Sequence, residues 1–398
     1  MLIRNCRIIV DGKEEITNII TSNGKIAVID NDIKGDMYEN VIDARGNYLL
    51  PGVIDPHVHM RDPGMTHKED FTTGSMACAK GGITLFFDMP NTVPNTITKE
   101  ALENKKKEMI GKSYVNYAFW FGGSKADNHE IVKEVQNKVI GTKVFMNVST
   151  GNMLVEDEKV LENIFKSSKL VGVHAEGEMV KKAIELSEKC DVPVYLCHLS
   201  TKEEVEYVRE AKKRGLKVYG EVTPHHLFLN VEDVKKNPLL RMKPELKTKE
   251  DNEALWEGII DGTIDTIGTD HAPHRIEEKK EKLIFGIPGA ENSLEMMLKA
   301  VRCDKISMEK LTKIMSENQA KIFGLENKGK IALWYDADMV IVDMTTDEVI
   351  SQDGVVSKCG WTPYEGFEKG GKILTTIVGG KVVYNNGEFI NKIGKEVI

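Results

Sequence analysis

Two hydrophobic rhythms divide the chain. Through the first fifty residues, short apolar stretches are punctuated by turn dipeptides: Leu2 to Val10, Asp11-Gly12, Ile16 to Ile20, Asn23-Gly24, then Lys25 to Ile29. That punctuation predicts a small β module. From Gly52 onward, apolar runs alternate with charged stretches of helical period, the pattern of buried strands separated by helices. The runs are Val53 to Asp55, Ile83 to Asp88, Tyr114 to Phe121, Lys143 to Met146, Leu170 to His174, Val194 to His198, Val218 to Val222 and Asp265 to Thr269. Eight strands predict a TIM-like (β/α)8 barrel, an α/β fold. Among the helices, one spans Lys68 to Lys80 and stops at Gly81-Gly82, and another starts from Thr201 with Glu204 completing a capping box. After Gly329 the chain returns to strands at Ala337 to Val342, Ile373 to Val378, Lys381 to Tyr384 and Glu388 to Ile390. These cannot extend a closed barrel. They are expected to pair with the N-terminal strands, so that residues 1–50 and 329–398 form one composite β-sandwich domain beside a barrel of residues 51–328.

A chain of 398 residues is long enough for both parts. Its 54 Lys and Arg against 62 Asp and Glu give a formal charge of -8 without a long run of either sign, which argues against nucleic acid as a main partner. The six cysteines include no C-x-x-C pair and no apolar signal-peptide core opens the chain, so a reduced, cytoplasmic protein is expected. No apolar run approaches the roughly 20 residues of a membrane helix, so no membrane partner is expected.

The candidate chemistry gathers at strand ends. His57 and His59 stand two apart after an apolar run, and alternate residues of a strand face one side, so both can close on one metal ion. Later runs end at or near Asn91, Lys143, His174, His198 and Asp270. In a TIM barrel the C-terminal strand ends carry the active site, and a random scatter of ten histidines would not collect there. The pattern points to a metal-dependent hydrolase.

Two segments carry a resemblance to a known family. Asp55-Pro56-His57-Val58-His59-Met60-Arg61-Asp62-Pro63-Gly64, and Gly268-Thr269-Asp270-His271-Ala272-Pro273-His274 with Lys279, are similar to the N- and C-terminal signatures of the dihydroorotases, within the cyclic amidohydrolases. Glu221-Val222-Thr223-Pro224-His225-His226-Leu227 and Trp361-Thr362-Pro363-Tyr364-Glu365-Gly366 support it. The resemblance implies two divalent metal ions, usually zinc. His57, His59 and Asp270 would hold one, His174 and His198 the other, and Lys143 would bridge them. An ammonium cannot ligate a cation, so Lys143 must first be carboxylated by carbon dioxide to a carbamate. Val144 and Met146 are expected on the barrel wall, with Phe145 opposite in phase to the inward lysine. The implied reaction is the reversible cyclisation of N-carbamoyl-L-aspartate to L-dihydroorotate plus water, a step of pyrimidine biosynthesis. A metal-bridged hydroxide acts in the hydrolytic direction, with Asp270 as general acid and base.

Dihydroorotate carries a carboxylate that hydantoins and allantoin lack. Arg61 offers a planar fork for it, on the face of His59 if the strand continues that far. Asn91 and His274 match positions that the family uses for the same carboxylate and ring, and Pro288-Gly289 resembles the loop whose backbone contacts the ring amide. Where some members have a second arginine this chain has Met242-Lys243-Pro244, leaving Lys243 or Arg241 to substitute. Ser149 and Thr150 lie where the family has a mobile lid. Of His225 and His226, one is expected to support the site and the other to pack or cap. Cys197 and Glu221 are expected beside the metals rather than on them, and His67 and His129 at the surface. Two alternatives stand: an allantoinase or hydantoinase, which shares the barrel, lysine and histidines, and a non-catalytic scaffold subunit for aspartate transcarbamoylase. A small-molecule substrate is expected, and association with that transcarbamoylase is left open.

Overall fold

The computed structural model describes residues 1–33, 38–149, 152–282 and 284–398. Five strands come first: β1 (Leu2–Val10), β2 (Lys13–Ser22), β3 (Lys25–Asp30), β4 (Val41–Asp43) and β5 (Tyr48–Pro51). Eight more alternate with helices: β6 (Val53–Val58), β7 (Ile83–Asp88), β8 (Asn116–Gly122), β9 (Gly141–Phe145), β10 (Val171–His174), β11 (Val194–Leu196), β12 (Val218–Val222) and β13 (Thr266–Ile267). The last four are β14 (Met339–Asp343), β15 (Lys372–Val378), β16 (Lys381–Asn385) and β17 (Glu388–Phe389).

Strands β6 to β13 pair in parallel in chain order, as expected of the (β/α)8 class. Val58 bridges in parallel to His271, bringing the first strand to the segment that follows the last. Asp55 ties this seam, accepting from Thr269 N at 3.0 Å and from Thr269 Oγ1 at 2.6 Å. Strand alternation sorts the walls. From β7 and β8, Leu85, Phe87, Ala118 and Trp120 pack in the cluster that also holds Tyr195, while Phe86, Tyr117, Phe119 and Phe121 join the larger core. Phe323, just past the helix Asn318–Ile322, closes the inner cluster with ring centroids 4.9 Å from Phe87, 5.0 Å from Tyr195 and 5.6 Å from Trp120. Trp120 needs glycine beside it, because a Cβ on Gly172 would sit 2.7 Å from its ring.

The terminal strands form one sheet in the order β17-β16-β15-β14-β5-β1-β2-β3, with β4 parallel to β1. Its two halves meet where β14 runs antiparallel to β5. Strand β2 begins at Lys13 rather than Ile16, because the tight Asp11-Gly12 turn lets the charged Lys13–Glu15 pair back onto Ile8–Val10. The helix expected from Lys68 spans Phe71–Lys80: Asp70 accepts from Thr72 N and Thr73 N at its start, which leaves Lys68 and Glu69 in the preceding turn. Thr201 and Glu204 do form the capping box of the helix Lys202–Lys213. No described helix is long and apolar enough to cross a membrane.

Candidate metal centre

The site lies past the C-terminal ends of the barrel strands. His57 is on β6, with His59 one residue beyond it, Lys143 is on β9 and His174 ends β10. His198 and Asp270 follow β11 and β13 with left-handed backbone, φ 40° and 44°, and Arg61 does so after β6 at φ 59°. Side chains are strained there, and three such residues at one mouth mark a place where geometry has been held against local preference.

All four imidazoles are buried and converge. His57 Nε2 and His59 Nε2 approach Asp270 Oδ1 at 3.4 and 3.1 Å, and His174 Nδ1 faces His198 Nε2 at 2.8 Å. One ligand atom each from His57, His198 and Asp270 lies within 4.8 Å of the others. On the first two histidines the far nitrogen is already engaged. Glu221 Oε1 lies 2.7 Å from His57 Nδ1, and Asn91 Oδ1 lies 2.7 Å from His59 Nδ1. These acceptors place the proton on Nδ1 and leave Nε2 with its lone pair turned inward, as a cation requires. Burial, first of all, holds all four imidazoles well below the ordinary histidine value, so they are neutral and able to ligate. The donor set therefore fits divalent metal.

Lys143 is fully buried, and its Nζ donates to Cys197 Sγ at 2.8 Å. No described carboxylate lies within ion-pair distance of that nitrogen. Phe145, expected opposite in phase, shares the lysine's face: the ring is 5.3 Å from Nζ and 5.8 Å from the His174 ring. The two-residue period of the strand requires this. Glu221 accepts from Tyr195 Oη at 2.9 Å and from His198 N at 3.0 Å besides facing His57. Those contacts fit a residue that orients His57, though Glu221 also has a ligand atom within 4.8 Å of ones on His57 and Cys197, and burial pushes its carboxyl up to about 7.

A pocket opens on the cluster, lined by the four imidazoles and Asp270 together with Phe145, Ser149, Lys243, Ala272, Phe285 and Gly286. Lys243 thus faces the site, whereas Arg241 stays outside the lining, over the Phe285 ring at 4.7 Å and 3.8 Å from Glu245. Thr150 lies outside the described residues. Arg61 and His274 stand just behind the wall, and a Cβ on Gly286 would come within 3.1 Å of His274 Nε2. The strand ends at Val58, so the left-handed turn at Arg61, not strand alternation, directs its side chain. Its guanidinium is buried, with Nε on the Pro273 carbonyl at 3.2 Å and Nη2 3.2 Å from His274 Nε2. Among the described residues it has no carboxylate partner.

Pro288 and Gly289 are not brought to this cavity. They line a separate small pocket behind His271, whose Nδ1 accepts from Gly289 N at 3.1 Å. His225 and His226 sit on the short helix Pro224–Phe228, where His226 faces Thr223 Oγ1 and the Pro244 carbonyl, and His225 faces Tyr364 Oη at 2.6 Å. His67 is exposed, while His129 is partly buried between Asp127 and Glu130. Sequence reasoning missed Phe285 and Lys68. Neither carried a signal, since both reach the site from segments between the strands.

Residues 48–383 match the amidohydrolase family model. Similar curated proteins include dihydroorotases from Pyrococcus furiosus, 36% identical with 93% of this chain and 89% of the relative covered, and Methanosphaera stadtmanae, 34% identical with 98% and 97% covered. Among solved structures, the L-hydantoinase (dihydropyrimidinase) of Arthrobacter aurescens superposes with a TM-score of 0.92 at 28% identity, covering 99% of this chain and 98% of its own. A dihydropyrimidinase from Brevibacillus agri does so with the same score and identity, covering 100% and 98%.

Proposed function

Because the chain belongs to the amidohydrolase family and is a metal-dependent cyclic amidohydrolase, we propose that it interconverts N-carbamoyl-L-aspartate and L-dihydroorotate. The observation that carries this reading is Arg61, a buried guanidinium two residues from His59 that has no described carboxylate at ion-pair distance and feels Asp270 and Asp88 only from farther off. A cation shut away from water needs an anion. Dihydroorotate brings one, as a carboxylate suited to the fork. Hydantoin, allantoin and dihydrouracil do not.

In this reading His57, His59 and Asp270 hold one divalent ion and His174 and His198 the other, with zinc suited to the mixed nitrogen and oxygen donors. Lys143 would complete the donor set as a carbamate, an anion in place of an ammonium that among the described residues donates only to a thiol. When bound, the ions supply an activated water near neutral pH and polarise the carbonyl under attack. Asp270 would act as general base and acid, accepting a proton from the attacking water and delivering one to the departing ring nitrogen, and in the direction of ring closure it would remove the proton from the ureido nitrogen. Glu221 and Asn91 keep His57 and His59 in the ligating tautomer. Lys243 adds positive charge at the cavity wall.

A hydantoinase or dihydropyrimidinase is the second reading, favoured by the superpositions at TM-score 0.92. Turnover of dihydroorotate, dihydrouracil, hydantoin and allantoin, each with and without chelator, separates the two. Dihydroorotate is expected to be the preferred substrate and the chelator to abolish turnover. Preference for a ring without the carboxylate would replace the first reading with the second.

A further inference from the structure

We propose that Lys68 is a positioning residue: it fixes the tautomer of His274 so that the imidazole offers Nε2–H, beside the Arg61 guanidinium, to a substrate carboxylate. This rests on the reading that the substrate carries such a group. Lys68 lies in the turn ahead of the helix Phe71–Lys80, and its side chain is only 15% exposed. Its Nζ is 3.0 Å from His274 Nδ1, while Arg61 Nη2 is 3.2 Å from His274 Nε2.

An ammonium and a guanidinium are both donors without a lone pair to offer, whereas a neutral imidazole has one acceptor nitrogen. His274 is kept neutral, by burial first and then by the charges of Arg61 and Lys68. It can therefore accept from one cation only. Arg61 already has an acceptor in the Pro273 carbonyl. Lys68 has Glu278 Oε2 at 3.7 Å, beyond hydrogen-bond length, and Nδ1 at 3.0 Å. The lone pair thus belongs on Nδ1 and the hydrogen on Nε2. The result is two donors, Arg61 Nη2 and His274 Nε2–H, side by side. A carboxylate oxygen satisfies both at once. Gly286, at φ 122°, packs on the ring from the cavity side, where a Cβ would come within 3.1 Å of Nε2.

The test is 15N NMR of the histidine ring nitrogens in the wild-type protein, Lys68→Met and Lys68→Arg, together with steady-state kinetics on dihydroorotate. The wild-type is expected to show His274 protonated at Nε2 and bare at Nδ1. Lys68→Met should move the proton to Nδ1 or mix the two forms, raising KM about tenfold, which is about 1.4 kcal/mol, while kcat changes less than twofold. Lys68→Arg, another cation with donors alone, should restore the wild-type tautomer and KM. A wild-type His274 protonated at Nδ1, or a Lys68→Met protein with unaltered KM, overturns the proposal. If Lys68→Met does not fold, the wild-type spectrum and the arginine variant decide. Failure of the wild-type to turn over dihydroorotate would instead refute the substrate reading, and the ring spectrum would still decide the tautomer.

Discussion

Replacing Arg61 with Met separates a residue kept for binding from one kept for folding. Burial pulls this guanidinium from 12.5 down to about 10. At 1.36 kcal/mol for each tenfold change in ionisation, keeping it charged in the empty protein costs about 3 kcal/mol. Its bond to the Pro273 carbonyl returns roughly 1 kcal/mol. Met keeps much of the packed volume, so Arg61→Met is expected to stabilise the free protein by about 2 kcal/mol, measured as urea unfolding. Catalysis should move the other way. Losing a desolvated, charge-assisted contact to the substrate carboxylate costs about 3 kcal/mol, or about 100-fold in kcat/KM, most of it in KM. The two measurements use one variant. A less stable Arg61→Met that still turns over dihydroorotate normally would refute the argument, because Arg61 would then be a structural residue.

Three further outcomes follow from the same geometry. Glu221→Gln weakens the acceptor that sets the His57 tautomer, so metal retained after dialysis, measured by elemental analysis, should correspond to an affinity roughly 10- to 100-fold lower. Lys279 is fully buried and donates to the Arg241 and Gly286 carbonyls, and burial, with Arg241 adding to it, lowers it to about 7. The unfolded chain then binds more protons than the folded one between about pH 7 and pH 10.5, so stability rises with pH across that window. From pH 7 to 9, denaturant unfolding should move in favour of wild-type over Lys279→Met by about 2–3 kcal/mol. A parallel pH response in the two proteins would contradict it. Gly172→Ala puts a methyl 2.7 Å from the Trp120 ring and should cost about 2 kcal/mol in thermal or denaturant unfolding.

The chain's own rhythm determined the architecture and the inventory of the site. Apolar runs with helical stretches between them name the barrel strands, and the terminal strands had nowhere to pair except with one another. His57, His59, Lys143, His174, His198 and Asp270 are readable because a strand's period and its end are local properties, encoded within a few residues. Local pattern failed where the strand stopped early, at Arg61, and where phase was misassigned, at Phe145. Only the closed barrel decided which groups are partnered. Glu221 reaches His57 across 164 positions, Lys68 reaches His274 across 206 and Asp270 reaches His59 across 211. Nor does any segment alone say that the guanidinium of Arg61 is buried with no described carboxylate at ion-pair distance. Such contacts depend on how strand ends and loops meet after closure, and burial, which sets the cost of an unpaired charge, is a property of the assembled fold.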